Sequence, residues 1–175
     1  GINLISLDDK YSRKIFLEKN IKNKISFSLQ DKNANFFINE NYILDNFFKK
    51  NQKLYLKNIS RDLEGKFNNE NILISYICNK LLKLPEYNFK NVIKNFKGLP
   101  FRSNIIFENK NLKIINNSKS TNIASTINSI ENYEKIYLIM GGIAKENNFE
   151  ILTNYNSRIK FVYLFGHSSL LIERK

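Results

Sequence analysis

Three short polar loops carry the residues of this sequence best suited to binding an anion. They are "NNSKSTN" at 116–122, "GGIAKE" at 141–146 and "GHSS" at 166–169. Lysine is a mobile point cation with three hydrogen-bond donors, so Lys119 and Lys145 in two such loops favour an anion site over two unrelated surface charges. The helix predicted after Thr121 would add backbone N–H groups and the positive end of its dipole. We therefore expect these loops to bind an anion together.

The elements that must position these loops are strands of a parallel sheet. "KIYLIMGG" and "KFVYLFG" are continuous apolar runs, each ending in glycine and leading into a helical pattern. Such runs are typical of strands buried on both faces of an α/β sheet. Ligands of these sheets bind beyond the carboxyl ends of the strands, which is where the three loops fall.

The sequence before these loops predicts a separate set of strands and helices. Residues 2–16 predict a strand, an Asp-Asp turn and a helix, and the aromatic runs between 25 and 60 predict hairpin strands with one covered face. A helix is predicted from Asn69 or Asn71, because apolar residues recur at helical spacing, and Cys78 is expected to pack in the protein core. These apolar residues are Ile72, Tyr76, Ile77 and Leu81. "KGLPF" then predicts a break, so we expect domains at 1–97 and 98–175.

Composition narrows the class of protein. The chain has 175 residues, 42% of them hydrophobic, and no apolar run reaches the roughly 20 residues of a membrane span. One cysteine and one histidine exclude a structural zinc site, and without a leader pattern we expect a soluble, cytoplasmic protein. The only methionine is internal, at Met140, which suggests part of a longer protein.

The net charge of +12 raises the alternative of a basic module that binds RNA or another polyanion. The lysines are scattered among asparagines and isoleucines through every segment, so no designed basic patch is visible. We expect a solvated basic surface and no nucleic-acid or membrane partner.

Four motifs, in this order, resemble the Mur ligase family. They are "LEGKFNNEN", "FKGLPFR", "IINNSKSTNIAST" and "LIMGGIAKE". The resemblance is to the D-glutamate-adding branch of the family. At the four corresponding places its pattern is roughly Gly-x-His-Asn-x-x-Asn, Gly-Leu-x-His-Arg, Asn-Asp-Ser-Lys-x-Thr-Asn and Gly-Gly-x-x-Lys. The Ser-Lys-x-Thr-Asn pattern is the specific part, because ligases of the later peptide steps differ there.

The resemblance implies a fold and an activity. It implies an α/β chain, with the end of a central ATP-binding domain at 1–97 and the first part of a Rossmann-like C-terminal domain, with a mainly parallel sheet, at 98–175. The implied reaction is ATP-dependent addition of D-glutamate to UDP-N-acetylmuramoyl-L-alanine through an acyl phosphate, in peptidoglycan synthesis. Mg²⁺ is implied as well, with its ligands and the phosphate loop outside this chain, which would then be inactive alone. We expect a monomer.

Motif matching also implies roles for individual residues. Asn68 and Asn71 would contact adenine, Arg102 would contact ATP, and Asn117 would lie near the ribose. The glutamate carboxylate and the developing charge would be held by Lys119, Thr121 and Lys145, with both lysines acting in catalysis.

Three positions depart from the family pattern, and one alternative stays open within it. Phe67 and Phe101 stand where the motifs have histidine. Asn117 stands where they have aspartate, and because an amide lacks the charge-assisted hydrogen bond of a carboxylate, we expect weaker nucleotide binding there. Another amino-acid-adding ligase, such as a folylpolyglutamate-type enzyme, would share most of these motifs.

Overall fold

The computed structural model describes residues 1–39, 41–63 and 65–174, apart from the side chains of Lys66 and Phe67. Within it the chain forms two compact units, Gly1–Lys97 and Gly98–Lys175, called here the N-terminal and C-terminal units. Both mix helices with strands, and both contain parallel strand pairs, so the predicted α/β class is confirmed. No helix in the described part of the chain is long and apolar enough to cross a membrane.

The N-terminal unit is built on one five-stranded sheet. Its strands, in both chain and spatial order, are β1 (Asn3–Ser6), β2 (Lys24–Ser28), β3 (Phe36–Ile38), β4 (Tyr42–Asp45) and β5 (Gln52–Tyr55). β1, β2 and β3 run parallel, and only β3–β4 and β4–β5 are antiparallel hairpins. The hairpin prediction is therefore wrong for the pairing of β2 with β3 and holds for β3–β4 and β4–β5. These strands are covered on both faces, whereas β4 alternates between buried and half-buried residues.

Helix α1 (Lys10–Leu17) follows β1 as predicted, and the two aspartates before it, Asp8 and Asp9, make different contacts. The Asp9 carboxylate caps the helix by accepting the Tyr11 N–H at 2.9 Å and the Ser12 N–H at 2.8 Å. The Asp8 carboxylate instead accepts the Leu29 N–H at 2.7 Å and so ties the end of β1 to the end of β2.

Helix α2 (Lys66–Leu81) begins several residues before the predicted start, directly after Gly65. Gly65 has a φ of 109°, which lets the chain turn into the helix at a point that Asn69 and Asn71 do not mark. Ile72, Tyr76 and Ile77 are buried as their helical spacing predicts. Cys78 is exposed, so its predicted core position is wrong.

The core of the N-terminal unit lies between the sheet, α2 and α3 (Glu86–Asn95). Its buried side chains are mostly aromatic and β-branched. They include Ile25, Phe27, Phe36, Ile38, Ile43, Leu54, Ile72, Leu73, Tyr76, Ile77, Phe89 and Ile93.

The C-terminal unit contains an antiparallel hairpin and a parallel strand pair. β6 (Asn104–Glu108) and β7 (Lys113–Asn116) form the hairpin, and β8 (Ile136–Gly141) and β9 (Ile159–Phe165) form the parallel pair. Between them lie α4 (Ile123–Ile130) and a 3₁₀ helix (Phe149–Tyr155), and α5 (Ser169–Glu173) follows β9. Asn122 caps α4 through the Ser125 N–H, in agreement with the predicted start.

One face of the β8–β9 pair is exposed, which corrects the prediction that both strands are buried on both faces. The inward face packs on a small core formed by Ile123, Ile130, Phe149 and Leu152. The outward face is apolar and between 54 and 72% exposed. It is formed by Tyr137, Ile139, Phe161, Tyr163 and Phe165. Within the described residues, the helices of this unit cover the sheet on one side only.

Candidate functional site

A turn at 101–103 and the Lys119 loop are joined by two hydrogen bonds. The Lys119 N–H donates to the Phe101 carbonyl at 3.1 Å, and the Ser103 N–H donates to Asn117 Oδ1 at 3.1 Å. Phe101 and Ser103 both have positive φ, at 64° and 49°, so the backbone bends sharply on either side of Arg102. The structure thereby brings Arg102, Asn117 and Lys119 to one place.

The role of Asn117 follows from this contact. Its side-chain oxygen holds the Ser103 N–H, so the amide –NH₂ is the group that it offers to a ligand. An aspartate at this position would accept the same bond with one oxygen and keep the other as an acceptor. Asn117 therefore preserves the turn but presents a hydrogen-bond donor where the family pattern presents an acceptor.

The cationic side chains in these loops are exposed to solvent. Arg102, Lys119 and Lys145 are exposed, and none of the three side chains forms a hydrogen bond or ion pair with another described residue. Thr121 is exposed as well. These side chains are thus available for an anionic ligand.

The loops after β8 and β9 meet at one edge of the parallel pair, as predicted. The Gly142 N–H donates to the Phe165 carbonyl at 3.0 Å, and the Ser168 N–H donates to the Gly142 carbonyl at 3.0 Å. A Cβ on Gly141 would lie 1.9 Å from the Phe165 carbonyl oxygen, and one on Gly166 would lie 2.9 Å from the Gly142 nitrogen. Glycine at both positions allows this close approach of the two loops.

The loop that carries Lys119 reaches the same edge by a different route. It follows β7, which pairs with β6 and not with β8. Its link is the first turn of α4, where the Ile123 N–H donates to Glu146 Oε2 at 3.2 Å. The segments that carry Lys119 and Lys145 are therefore connected through the start of α4 and not through neighbouring strands of one sheet.

The start of α4 is less open to an external anion than the sequence predicts. The Ile123 N–H is taken by Glu146, and the Ser125 N–H is taken by Asn122 Oδ1 at 2.8 Å. The prediction that this helix start offers free N–H groups is wrong for these two. A carboxylate from the protein itself already lies at the positive end of the helix dipole.

The two asparagines predicted to bind adenine lie on α2 in the N-terminal unit. Asn71 is exposed, whereas Asn68 is only 8% exposed and its Nδ2 donates to the Asp62 carbonyl at 3.4 Å. Asn71 is thus the freer of the two amides. The Phe67 side chain lies outside the described residues, and the described residues contain no group of three or more His, Cys, Asp or Glu side chains that could hold a metal.

Sequence reasoning missed two residues that organise the loops, Glu146 and Ser168. Ser168 is 8% exposed, and its Oγ accepts the Ala144 N–H at 2.7 Å. Glu146 directly follows Lys145, and only that adjacency could have drawn attention to it. A serine after a strand also caps many helices, so its type alone gives no signal.

Known proteins with similar sequences match nearly the whole length of this chain. A UDP-N-acetylmuramoylalanine–D-glutamate ligase of Buchnera aphidicola subsp. Schizaphis graminum is 37% identical over 158 residues, which is 87% of this chain and 35% of the relative. The enzyme of the same name from Rickettsia prowazekii is 32% identical over 171 residues, or 96% of this chain and 38% of the relative. The chain thus spans well under half the length of these relatives.

Structural comparison agrees on the fold. A solved structure of UDP-N-acetylmuramoyl-L-alanyl-D-glutamate–2,6-diaminopimelate ligase matches with a TM-score of 0.56 and 15% identity, covering 93% of this chain and 36% of that one. No family model matches the sequence. Together, the fold and the relatives show that the chain belongs to the Mur ligase family. Within that family, the similar sequences described above are D-glutamate-adding ligases.

Proposed function

We propose that the chain provides parts of two domains of an ATP-dependent ligase that adds D-glutamate to UDP-N-acetylmuramoyl-L-alanine. Residues 1–97 would form the end of the ATP-binding domain, and 98–175 the first part of the amino-acid-binding domain. The observation that carries the proposal is the joined turn and loop that present Arg102, Asn117 and Lys119 together, with Lys145 linked to the same helix. The similarity to the Buchnera and Rickettsia ligases supports it.

The chemistry requires a binding site for anions more than it requires a nucleophilic side chain. ATP supplies the phosphoryl group that converts the substrate carboxylate into an acyl phosphate. The amine of D-glutamate then attacks the acyl carbon, so that an amide forms and phosphate leaves. Lys119 and Lys145 would hold the D-glutamate carboxylate and stabilise the charge that develops on the departing phosphate.

Some of the residues predicted to bind the nucleotide are suited to that role, and others are less suited. The exposed amide of Asn71 has the donor and acceptor that adenine recognition needs, and Arg102 offers a guanidinium for phosphate. Asn68 fits less well because it is buried and hydrogen-bonded to Asp62. Mg²⁺ would neutralise phosphate charge, and its ligands are expected outside this chain.

Phosphate release by the complete ligase tests the proposal. With ATP, Mg²⁺ and UDP-N-acetylmuramoyl-L-alanine present, D-glutamate should support release, whereas L-glutamate, L-lysine and meso-diaminopimelate should not. Release that depends on a folate and L-glutamate would instead support the folylpolyglutamate-type alternative. No release with any amino acid would contradict both ligase assignments.

A further inference from the structure

Both chain neighbours of Lys145 are hydrogen-bonded to other elements, Ala144 through its backbone N–H and Glu146 through its side chain. On one side, the Ala144 N–H donates to Ser168 Oγ at 2.7 Å, and on the other, Glu146 Oε2 accepts the Ile123 N–H at 3.2 Å. Ser168 belongs to the loop after β9, and Ile123 begins α4. A single exposed lysine is thus fixed between two different elements while its own side chain stays in solvent.

The two contacts have a clear physical basis. Ser168 is 8% exposed, and its N–H also donates to the Gly142 carbonyl at 3.0 Å, so this residue binds the Lys145 loop twice. The Glu146 carboxylate lies at the positive end of the α4 dipole, a position that favours negative charge. Loss of either contact would leave the Gly142–Glu146 segment with fewer restraints, because it has no regular structure of its own.

The Glu146 contact also affects where an external anion can bind. Because its carboxylate takes the Ile123 N–H, a substrate anion must rely on the lysine side chains instead of this part of the helix start. The same contact links the Lys145 loop to the helix that follows Lys119 and Thr121. Glu146 is therefore one restraint on where the Lys145 loop lies relative to α4.

We propose that Glu146 and Ser168 are positioning residues that hold Lys145 beside the Lys119 loop, so that both lysines bind one substrate carboxylate. This inference rests on the proposed ligase function. Neither residue contacts substrate in the proposal, because each acts through the backbone next to Lys145.

The first test measures the contacts in the 175-residue chain itself. Amide hydrogen exchange, followed by NMR, should become about 10-fold faster at Ile123 in Glu146→Ala and at Ala144 in Ser168→Ala, as expected for the loss of one hydrogen bond. Glu173→Ala and Ser169→Ala are matched controls and should leave both amides unchanged. Unchanged exchange in Glu146→Ala and Ser168→Ala would overturn the inference whatever the enzyme does.

The second test measures kinetics in the complete ligase, with the amino acid that supports turnover. Glu146→Ala and Ser168→Ala should each raise the KM for that amino acid by about 5- to 10-fold and leave the KM for ATP unchanged. Glu146→Gln keeps an acceptor for the Ile123 N–H and should recover most of the affinity. An unchanged KM for that amino acid in both alanine variants, with or without a change in kcat, would overturn the positioning role.

The two tests separate failure of the inference from failure of the proposed function. If the parent ligase turns over no amino acid, the proposed function fails, and with it the role assigned to Glu146 and Ser168, even if the exchange rates show both contacts. If turnover is normal but the KM for the amino acid does not change in either variant, only the positioning inference fails.

Discussion

The two units contrast in how they cover their parallel strands. In the N-terminal unit, β3 is buried on both faces, and Phe36, Phe37 and Ile38 are at most 4% exposed. In the C-terminal unit, the outward side chains of β8 and β9 are between 54 and 72% exposed. Both segments have similarly apolar sequences, so the difference arises from the layers packed against them and not from the strands themselves.

The two units also differ in which interactions stabilise them, buried hydrophobic side chains in one and hydrogen bonds between loops in the other. Among the described residues, the main core cluster of the N-terminal unit contains twelve buried hydrophobic side chains, and that of the C-terminal unit contains four. The loops proposed to bind anions lie in the C-terminal unit, where they are joined by hydrogen bonds such as Ala144 to Ser168 and Ile123 to Glu146. Site geometry there depends on a few specific contacts more than on the amount of buried apolar surface.

The largest effect is expected in the N-terminal core. Phe36 is fully buried, and its ring lies 6.1 Å from those of Phe47 and Phe48 and 6.2 Å from that of Tyr76. Phe36→Ala should lower the free energy of unfolding of this unit by about 3–5 kcal/mol. Urea denaturation followed by tyrosine fluorescence measures this, with the exposed Tyr55→Ala as control. A loss below about 1 kcal/mol would contradict the described core.

A smaller effect is expected in the C-terminal core. Leu152 is 8% exposed, and in the described part of this unit it packs with three other buried side chains and a surrounding set of partly buried ones. Leu152→Ala should therefore cost about 2–3 kcal/mol, the lower part of the usual range for this substitution. Methyl NMR signals of this unit would report its unfolding in urea separately from that of the N-terminal unit. A cost equal to that of Phe36→Ala would remove the proposed contrast.

The next effect depends on pH and concerns Tyr76. Burial raises the pKa of its hydroxyl above the usual value, and the nearby Asp45 carboxylate raises the pKa further. The hydroxyl is buried, and no described residue hydrogen-bonds it. Because the folded-state pKa exceeds the unfolded one, stability from this group is complete below pH of about 10 and is lost as the pH rises beyond it.

Comparison of the parent with Tyr76→Phe isolates this contribution. Above pH of about 10 the parent should lose up to about 1.4 kcal/mol per pH unit more than the variant, as one-proton linkage requires. Near neutral pH the substitution should change stability by less than about 1 kcal/mol, because the hydroxyl has no partner to lose. Parallel pH profiles for the two proteins would show that the folded-state pKa is not raised.

The smallest effect is expected on the exposed sheet face. Ile139 is 72% exposed, so Ile139→Thr should change the free energy of unfolding by less than about 0.5 kcal/mol. The same variant should bind less of a hydrophobic dye, since it removes apolar surface from the outward face. A cost above 1.5 kcal/mol would mean that this face is covered in solution.

Periodicity and chain punctuation predicted much of this fold. The helical spacing of Ile72, Tyr76 and Ile77 identified a buried face, and Asn122 marked the start of α4. The apolar runs that became β8 and β9 predicted a parallel pair, which the structure contains. These signals are local, because each depends on residues a few positions apart.

The predictions that were wrong concern features that depend on distant parts of the chain or on backbone conformation, which local sequence patterns do not encode. Strand burial depends on which other layers cover the sheet, so the runs at β8 and β9 predicted two buried faces where there is one. The start of α2 depends on the backbone of Gly65, and the parallel pairing of β2 and β3 depends on distant chain segments. Lys119 and Lys145 stood out by type and loop position, but the Glu146 contact that links their loops joins residues 23 positions apart.

The assignment of the Lys119 loop to substrate binding is tested most directly by replacing Lys119 in the complete ligase. Lys119→Ala should reduce D-glutamate-dependent phosphate release by at least about 100-fold, since it removes a cation that stabilises developing charge. The folded state should persist, as judged by an unchanged urea midpoint. Lys110→Ala, at an exposed position in the β6–β7 connection, should retain parent activity. Full D-glutamate-dependent activity in Lys119→Ala would contradict the assignment of this loop to substrate binding.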